Sequence, residues 1–363
     1  MKIGITINMS HAIWANGMQQ NIVFLYEILK ECGHDCFYIT PEPPKFGAGK
    51  DHIAMDIKDL IKDKSENIDL LIIAGFDVPQ EIFDILKSRN KNIKCILIHY
   101  GNKLLNDIHH GICGRHTESS PLFRHKYIDE VWTSPHYDFA IPYLRTYYKT
   151  DAVKICPYIW DPHFIKIKTR ELKDKKLNPH FSEDLIRNIS IFEPNKNFTK
   201  TCLIPLSIIE CFQHKFGNEI NSANVFCCEK IRDRKYLTEY VNMLDISKRK
   251  DFLFFNNRWA KMEACAKFGK TILSHQIYNE LNYSHLEALY LGLPLIHNSK
   301  RLMEFGYYYP DFDIEMAANQ IKSAFINHSQ TINQYKEDCS VLFHKFSPYN
   351  KENVEKYKIL LND

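Results

Sequence analysis

Apolar residues come in short runs separated by stretches of helical periodicity, and the two alternate from the start of the chain. Residues 3–8 read as a strand. Residues 20–30 read as a helix with Ile22, Leu25, Tyr26 and Leu29 on one face. Gly33 is a stop signal, and residues 36–39 form a second strand. Residues 69–74 (DLLIIA) and 93–99 (IKCILIH) are apolar runs of the kind found in strands covered on both faces. Between them, residues 80–89 carry Ile82, Ile85 and Leu86 at helical spacing, with Pro79 near the start. Residues 130–133 and 153–156 complete a first α/β series. The pattern predicts a parallel sheet with right-handed crossovers.

The periodicity lapses over residues 166–187, rich in Lys, Asn and Asp, and a linker is expected there. A second series begins at residue 188: strand NISIFE, helix 199–214 bent by Pro205, strand 223–228, helix 235–244, strand 251–255 and helix 259–267. Strand, loop, helix and strand follow within residues 271–299, and residues 314–361 read as helical. The expected domains are 1–165 and 188–345, joined by the linker 166–187, with a terminal helix in 346–363 packing back on the first domain. The fold class is α/β: two Rossmann-like, doubly wound parallel-sheet domains facing a central cleft, where such folds bind ligands at the carboxyl ends of their strands.

A length of 363 residues suits two domains, and 45% hydrophobic with 25% charged residues is an ordinary globular composition. No apolar run approaches the roughly 20 residues that span a bilayer. The opening MKIGITINMS reads as a buried strand and not as a signal peptide. Eleven scattered cysteines, most in apolar runs, point to reduced thiols and a cytoplasmic protein. A formal charge of +3 is too small to imply nucleic acid, so no nucleic-acid partner is expected. One basic excess, residues 166–176 (KIKTRELKDKK), reads as a solvated linker or as a peripheral contact with anionic lipid at the inner face of a membrane.

Candidate chemistry concentrates in the second series. Asn282, Tyr283 and Ser284 fall at a helix start, where free N–H groups and the helix dipole suit phosphate. Glu287, one turn on, is placed to bond a sugar hydroxyl. The same residues also read as an S-x-x-E capping box, Ser284 to Glu287. In the loop PNKNFTK, Thr199 and Lys200 are placed to meet a diphosphate, with a plain helix cap as the alternative. In the first domain, the loop after strand one contains His11, Trp14, Asn16 and Gly17. His11 suits proton removal from a hydroxyl, with Asp107 as its orienting partner, the alternative being that His11 and Trp14 only pack the loop against the helix. His109, His110, Cys113 and His116 approach zinc spacing but lack paired arms, and Gly111 and Gly114 suggest a loop, so no metal is expected. No P-loop occurs, and no GxGxxG follows the first strand.

Several segments together resemble an uncharacterised bacterial family assigned the GT-B glycosyltransferase fold. They include Trp14-x-Asn16-Gly17-x-x-Gln20-Asn21, Val131-Trp132-Thr133, Pro157-Tyr158-Ile159-Trp160 and Ser190 to Asn195. Further on come Lys200 to Pro205, Ser274-His275-Gln276, Leu281-Asn282-Tyr283, Pro294 to Ser299 and the stretch GYYYPDFD. The GT-B pattern has two glutamates flanking seven residues. Glu280 and Glu287 flank six, so only Glu287 is carried over. The resemblance implies a metal-independent glycosyltransferase of surface-polysaccharide or glycoconjugate synthesis, with no cofactor beyond a nucleotide-diphospho sugar as substrate. Its donor side would be Thr199, Lys200, His275, Asn282, Tyr283, Ser284 and Glu287. Its acceptor, a glycan or lipid-linked glycan, would meet Trp14, Asn16 and Gly17. A nucleotide-sugar epimerase of the same fold and a non-catalytic glycan- or nucleotide-binding module are the alternatives.

Overall fold

The computed structural model describes residues 1–9, 13, 17–42, 52–63, 65, 67–114 and 126–362. The strands, in chain order, are β1 Lys2–Thr6, β2 Asp35–Thr40, β3 Ala54–Asp56, β4 Leu70–Ile73, β5 Lys94–His99, β6 Glu130–Thr133, β7 Val153–Ile155, β8 Asn188–Ile191, β9 Ser222–Val225, β10 Leu253–Phe255, β11 Thr271–Leu273, β12 Leu295–His297 and β13 Tyr307–Tyr308. The helices are α1 Gly17–Glu31, α2 Ile57–Lys62, α3 Gln80–Arg89, α4 Lys103–Cys113, α5 Ile141–Tyr148, α6 His163–Asp174, α7 Leu203–Phe216, α8 Lys235–Met243, α9 Lys261–Lys267, α10 Tyr283–Tyr290, α11 Ile314–Phe346 and α12 Lys351–Asn362. Two compact units divide the chain: Met1–Asp161 with His344–Asp363, and Pro162–Phe343.

The first unit holds a seven-stranded sheet in the order β3-β2-β1-β4-β5-β6-β7, every pair parallel. β1 and β4 are buried almost throughout, as strands covered on both faces must be. Strand order reverses between β1 and β4, and there the two loops touch. Thr6 Oγ1 accepts the N–H of Ala74 at 2.9 Å and of Gly75 at 3.2 Å. A Cβ on Gly75 would lie 2.7 Å from Ile7 Cα, so only glycine permits this approach. At the far edge Trp132 is fully buried, and the Tyr357 ring of α12 meets it edge-on at 6.2 Å. Tyr357 Oη donates to the Pro157 carbonyl at 3.1 Å, and Cys32 Sγ to the Val354 carbonyl at 3.5 Å, so the terminal helix is part of this unit.

The second unit holds a six-stranded parallel sheet in the order β10-β9-β8-β11-β12-β13. Its core packs Ile189 and Ile191 of β8 against Leu206, Ile209 and Phe212 of α7, all without solvent exposure. Burying each such side chain contributes about 1.5–3 kcal/mol. Gly269 closes the sheet: a Cβ there would sit 2.5 Å from the Asn188 carbonyl oxygen.

Three local readings change. Within 166–187, read as linker, α6 runs to Asp174, burying Phe164, Ile165 and Leu172 beneath its lysines. The basic excess is therefore the solvated face of an amphipathic helix. α7 begins at Leu203 and not at 199, which puts Pro205 in its first turn, where no N–H is needed and no bend results. Gly111 lies inside α4, and Gly114, at φ 73°, ends it. Among the described residues, no helix is long and apolar enough to cross a membrane.

Candidate functional site

From β8 the second sheet is laid down outward through β9 and β10. The chain then returns to the other side of β8 with β11. Loops leaving the carboxyl ends of β8 and β11 therefore diverge, and the crevice at such a reversal is where open α/β sheets bind ligands. Here the loops are residues 192–202 and 274–282.

Glu193 stands at this point, 2% exposed. Its carboxylate accepts the Ser274 hydroxyl, Gln276 Nε2 at 3.3 Å and the His275 backbone N–H. Burial pushes its pKa up to about 7, against the downward pull of Ser274, Lys200 and Gln276. Lys200, half-buried, faces that carboxylate, and burial lowers its pKa while Glu193 raises it. Among the described residues, its Nζ has no hydrogen bond or ion pair. An ammonium taken from water without direct partners is costly, and an anion would relieve it.

Three histidines line the same loops. Ser274 gives its proton to Glu193, so the 2.8 Å contact from His285 Nε2 to Ser274 Oγ is donated by the imidazole. His285 Nδ1 is then a bare acceptor, buried without a partner among the described residues. Tyr309 Oη donates to the Ser274 carbonyl at 3.2 Å and so accepts His275 Nδ1–H at 3.0 Å. That leaves His275 Nε2 as a second buried acceptor with no partner among the described residues. His297 donates from Nε2 to the Phe305 carbonyl at 2.7 Å and accepts Ser299 N–H at 3.1 Å. Burial brings His275 and His297 down to about 4 and His285 well below its ordinary value, so all three are neutral near pH 7.

The loop after β8 is shaped by its own side chains. Asn195, at φ 52°, accepts the Cys202 N–H at 2.8 Å and so caps the entry to α7. Thr199 does not cap it: its hydroxyl donates to Asn197 Oδ1 at 2.7 Å. The Thr199 carbonyl accepts the Ile277 N–H at 2.9 Å, which fastens the two loops together.

At α10 the cap is Asn282, whose side chain accepts the Ser284 N–H at 2.9 Å. Its carbonyl takes the N–H of His285 at 2.9 Å and of Leu286 at 3.3 Å. Ser284 is thus inside the helix, its amide is occupied, and the capping-box alternative for Glu287 falls away, since the third residue after the cap is His285. Glu287 Oε2 instead pairs with Lys261 Nζ at 3.0 Å, and Lys261 also reaches the Ser284 carbonyl at 2.6 Å.

The expected donor residues thus fall on one sheet edge: Thr199, Lys200 and His275 around Glu193, and Asn282, Tyr283, Ser284 and Glu287 on the helix that His285 ties to Ser274. Sequence reasoning missed Glu193, Gln276 and Lys261. The one available signal was a charged residue ending the apolar run NISIF. In the first unit, His11, Trp14 and Asn16 lie outside the described residues, and Gly17 opens α1. Asp107, on α4, accepts Lys103 Nζ and Tyr143 Oη, the latter at 2.6 Å. His116 lies outside the described residues. Among those described, the one group close enough to share an ion is Glu210, His214 and Asp245. There Glu210 is already committed to capping the Asp245 and Ile246 amides at 2.8 and 3.0 Å.

Solved structures align with nearly the whole chain. An alpha-glucosyltransferase in complex with UDP and a 13-mer DNA containing a HMU base matches at TM-score 0.62 and 12% identity over 99% of both chains. Alr3699/HepE of Anabaena, in complex with UDP and glucose, matches at 0.57 and 11% over 100% of both. A glycosyltransferase from Rickettsia africae matches at 0.56 and 13%, over 100% of this chain and 99% of that one. At such identities the likeness establishes the fold: two Rossmann-like parallel-sheet units of the GT-B class. The chain itself belongs to the family described as "Protein of unknown function (DUF2827)", which matches residues 3–361. No curated protein matches it. One expectation is corrected here. The small net charge was read as excluding nucleic acid, yet a structure sharing this fold over its whole length holds DNA. Overall charge is a poor guide because a local basic surface suffices to meet phosphates.

Proposed function

We propose that the second unit binds a UDP-linked sugar at the β8–β11 crevice and that the protein transfers that sugar to an acceptor. The observation that carries this reading is Lys200, a half-buried ammonium with no hydrogen bond or ion pair among the described residues, placed where the sheet order reverses. A diphosphate is the natural occupant, and charge developing on it as it leaves is stabilised by a preplaced cation and nearby dipoles. The cap residue Asn282 and the first helical residue Tyr283, with Thr199, are assigned to the same ligand. Glu287, held through one oxygen by Lys261, offers the other to a ribose hydroxyl. His275 Nε2 is an acceptor fixed by its tautomer and suits a sugar hydroxyl. His11, which follows β1 in sequence, is assigned the acceptor's proton. UDP or UDP with glucose stands in two of the similar structures.

The test is a melting screen of UDP, UDP-glucose, UDP-N-acetylglucosamine, GDP, dTDP and CMP, followed by a transfer assay. Ligand at a hundred times Kd adds about 2.7 kcal/mol. That shifts the Tm of a 150–250-residue unit by roughly 2–4 °C per kcal/mol. Uridine diphosphates should shift it and the others should not. Acceptors should include DNA bearing HMU bases as well as oligosaccharides. The reading fails if no nucleotide shifts the melt, and transfer fails if an isomeric sugar nucleotide forms without acceptor.

A further inference from the structure

Glu193 has no obvious place in a site for an anion. It is a carboxylate 2% exposed, fixed from the β11 side by Ser274 and Gln276 and facing the lone ammonium of Lys200. Its surroundings among the described residues are largely uncharged. On the loop after β11, the His275 N–H donates to it, and the His275 ring is neutral. From α10, neutral His285 reaches it through Ser274. Tyr309 follows β13 and keeps its phenol protonated because burial raises it well above the usual value. Cys202, at the entry of α7, is pushed up to about 12, and Cys227, after β9, is raised as well. Among the described residues, Lys200 is therefore the charge of opposite sign that acts on Glu193.

We infer that Glu193 is a positioning residue that couples donor binding to protonation: when a diphosphate engages Lys200, Glu193 takes up one proton from solvent and becomes neutral. This rests on the donor-site reading. In the empty site the carboxylate and the ammonium balance each other across the crevice. A bound diphosphate takes over the ammonium and brings further negative charge beside a desolvated carboxylate. Two anions that close in a low-dielectric pocket are both retained only at high cost, so the carboxylate gains a proton. The network can receive it: a protonated Glu193 can donate to Ser274 Oγ, whose own proton can then turn away from the carboxylate. Raised by burial to about 7, the empty-site carboxyl is partly ionised at physiological pH, where the coupling is largest.

Protons are bound on complex formation, so affinity weakens as pH rises through and above neutrality, with Kd increasing up to about tenfold per pH unit until the bound-state value is passed. The experiment is calorimetric titration of the full chain with UDP-glucose, whose diphosphate diester has no proton to gain in this range. It is run at pH 7.0 and 7.5 in buffers of different ionisation enthalpy. Wild type should take up between a half and one proton, by the same linkage. Glu193→Gln should bind with no proton uptake at either pH. Binding by wild type with buffer-independent heat overturns the inference and leaves the donor-site reading standing, and so does uptake retained in Glu193→Gln. The wild-type buffer series needs no variant, so a misfolded Glu193→Gln does not rescue the idea. If no nucleotide binds, both fall.

Discussion

Replacing Lys200 with methionine separates the two things this lysine does, because the site reading predicts opposite signs for stability and for binding. The stem of methionine fills the space of the lysine chain while the ammonium is deleted. In the empty protein that ammonium is desolvated and makes no hydrogen bond or ion pair among the described residues. Its removal leaves Glu193 without a facing cation. The carboxyl, already pushed up to about 7, then rises further and is neutral at pH 6.5. A neutral acid held by Ser274 and Gln276 is cheaper to bury than the pair it replaces. The second unit should therefore be more stable by roughly 1 kcal/mol, within the gain common for removing a functional charge. That corresponds to a Tm rise of about 2–4 °C. At pH 8.5 the gain should shrink, since Glu193 then ionises with nothing opposite. Binding should move the other way. A hydrogen bond to a charged group contributes about 1.5–3 kcal/mol, so UDP affinity should fall about 10- to 150-fold. Melting curves at pH 6.5 and 8.5 with calorimetric titration of UDP decide the matter. A variant that melts lower at pH 6.5 and binds UDP as wild type does would refute the reasoning on both counts.

Other outcomes follow from the same geometry. Gly269→Ala should destabilise the second unit by about 1–3 kcal/mol, because its Cβ would meet the Asn188 carbonyl oxygen at 2.5 Å and backbone must shift; chemical denaturation measures it. Stability of the second unit should fall as pH drops from about 6.5 toward 4. His275 and His297, each brought down to about 4, must gain protons that the unfolded chain binds earlier. Glu193 acts with the opposite sign, losing stability as pH rises from its ordinary value toward 7, but the histidines outnumber it. Tm against pH should therefore climb over that window, and a flat profile would contradict the neutral imidazoles. Asn282→Ala should cost about 1 kcal/mol through loss of the cap on the Ser284 amide, read by thermal denaturation. Glu287→Ala should weaken UDP binding about tenfold or more by the hydrogen-bond scale just used. If it acts only as Lys261's partner, melting should change and UDP affinity should not.

The layered fold was legible because buried parallel strands announce themselves: LLII of β4 and the apolar core of β5 have almost no competing interpretation. Shorter elements did not. β3 has three residues, too few for a period of two to register, and α2 beside it spans barely a turn and a half. α6 was hidden by composition, since three buried apolar residues among many lysines look like solvated chain until the helix brings them to one face. In the site, Lys200 and Glu287 could be named as a basic and an acidic group at a loop and a helix start, each with a capping alternative, whereas His275 entered only through the family resemblance. Glu193 could not. A lone glutamate after a strand reads as surface, and only the fold reveals that residues 81 and 83 positions away, Ser274 and Gln276, close over it. The failed capping box at Ser284 has a similar cause: the helix began two residues earlier than that motif required, at a cap formed by Asn282.

The outermost strands have a consequence for life at high concentration. β3, β7 and β10 are three residues long and β13 only two. Each rim therefore presents at most a couple of unsatisfied amides and carbonyls, although Ile155 and Phe254 on those rims are 41% exposed. A stranger's extended segment would find too little backbone to zip onto, so the sticky side chains there have no ladder to recruit them into fibrils. Lengthening one of these borders by a few β-branched residues would be the quickest way to turn this chain into an aggregate.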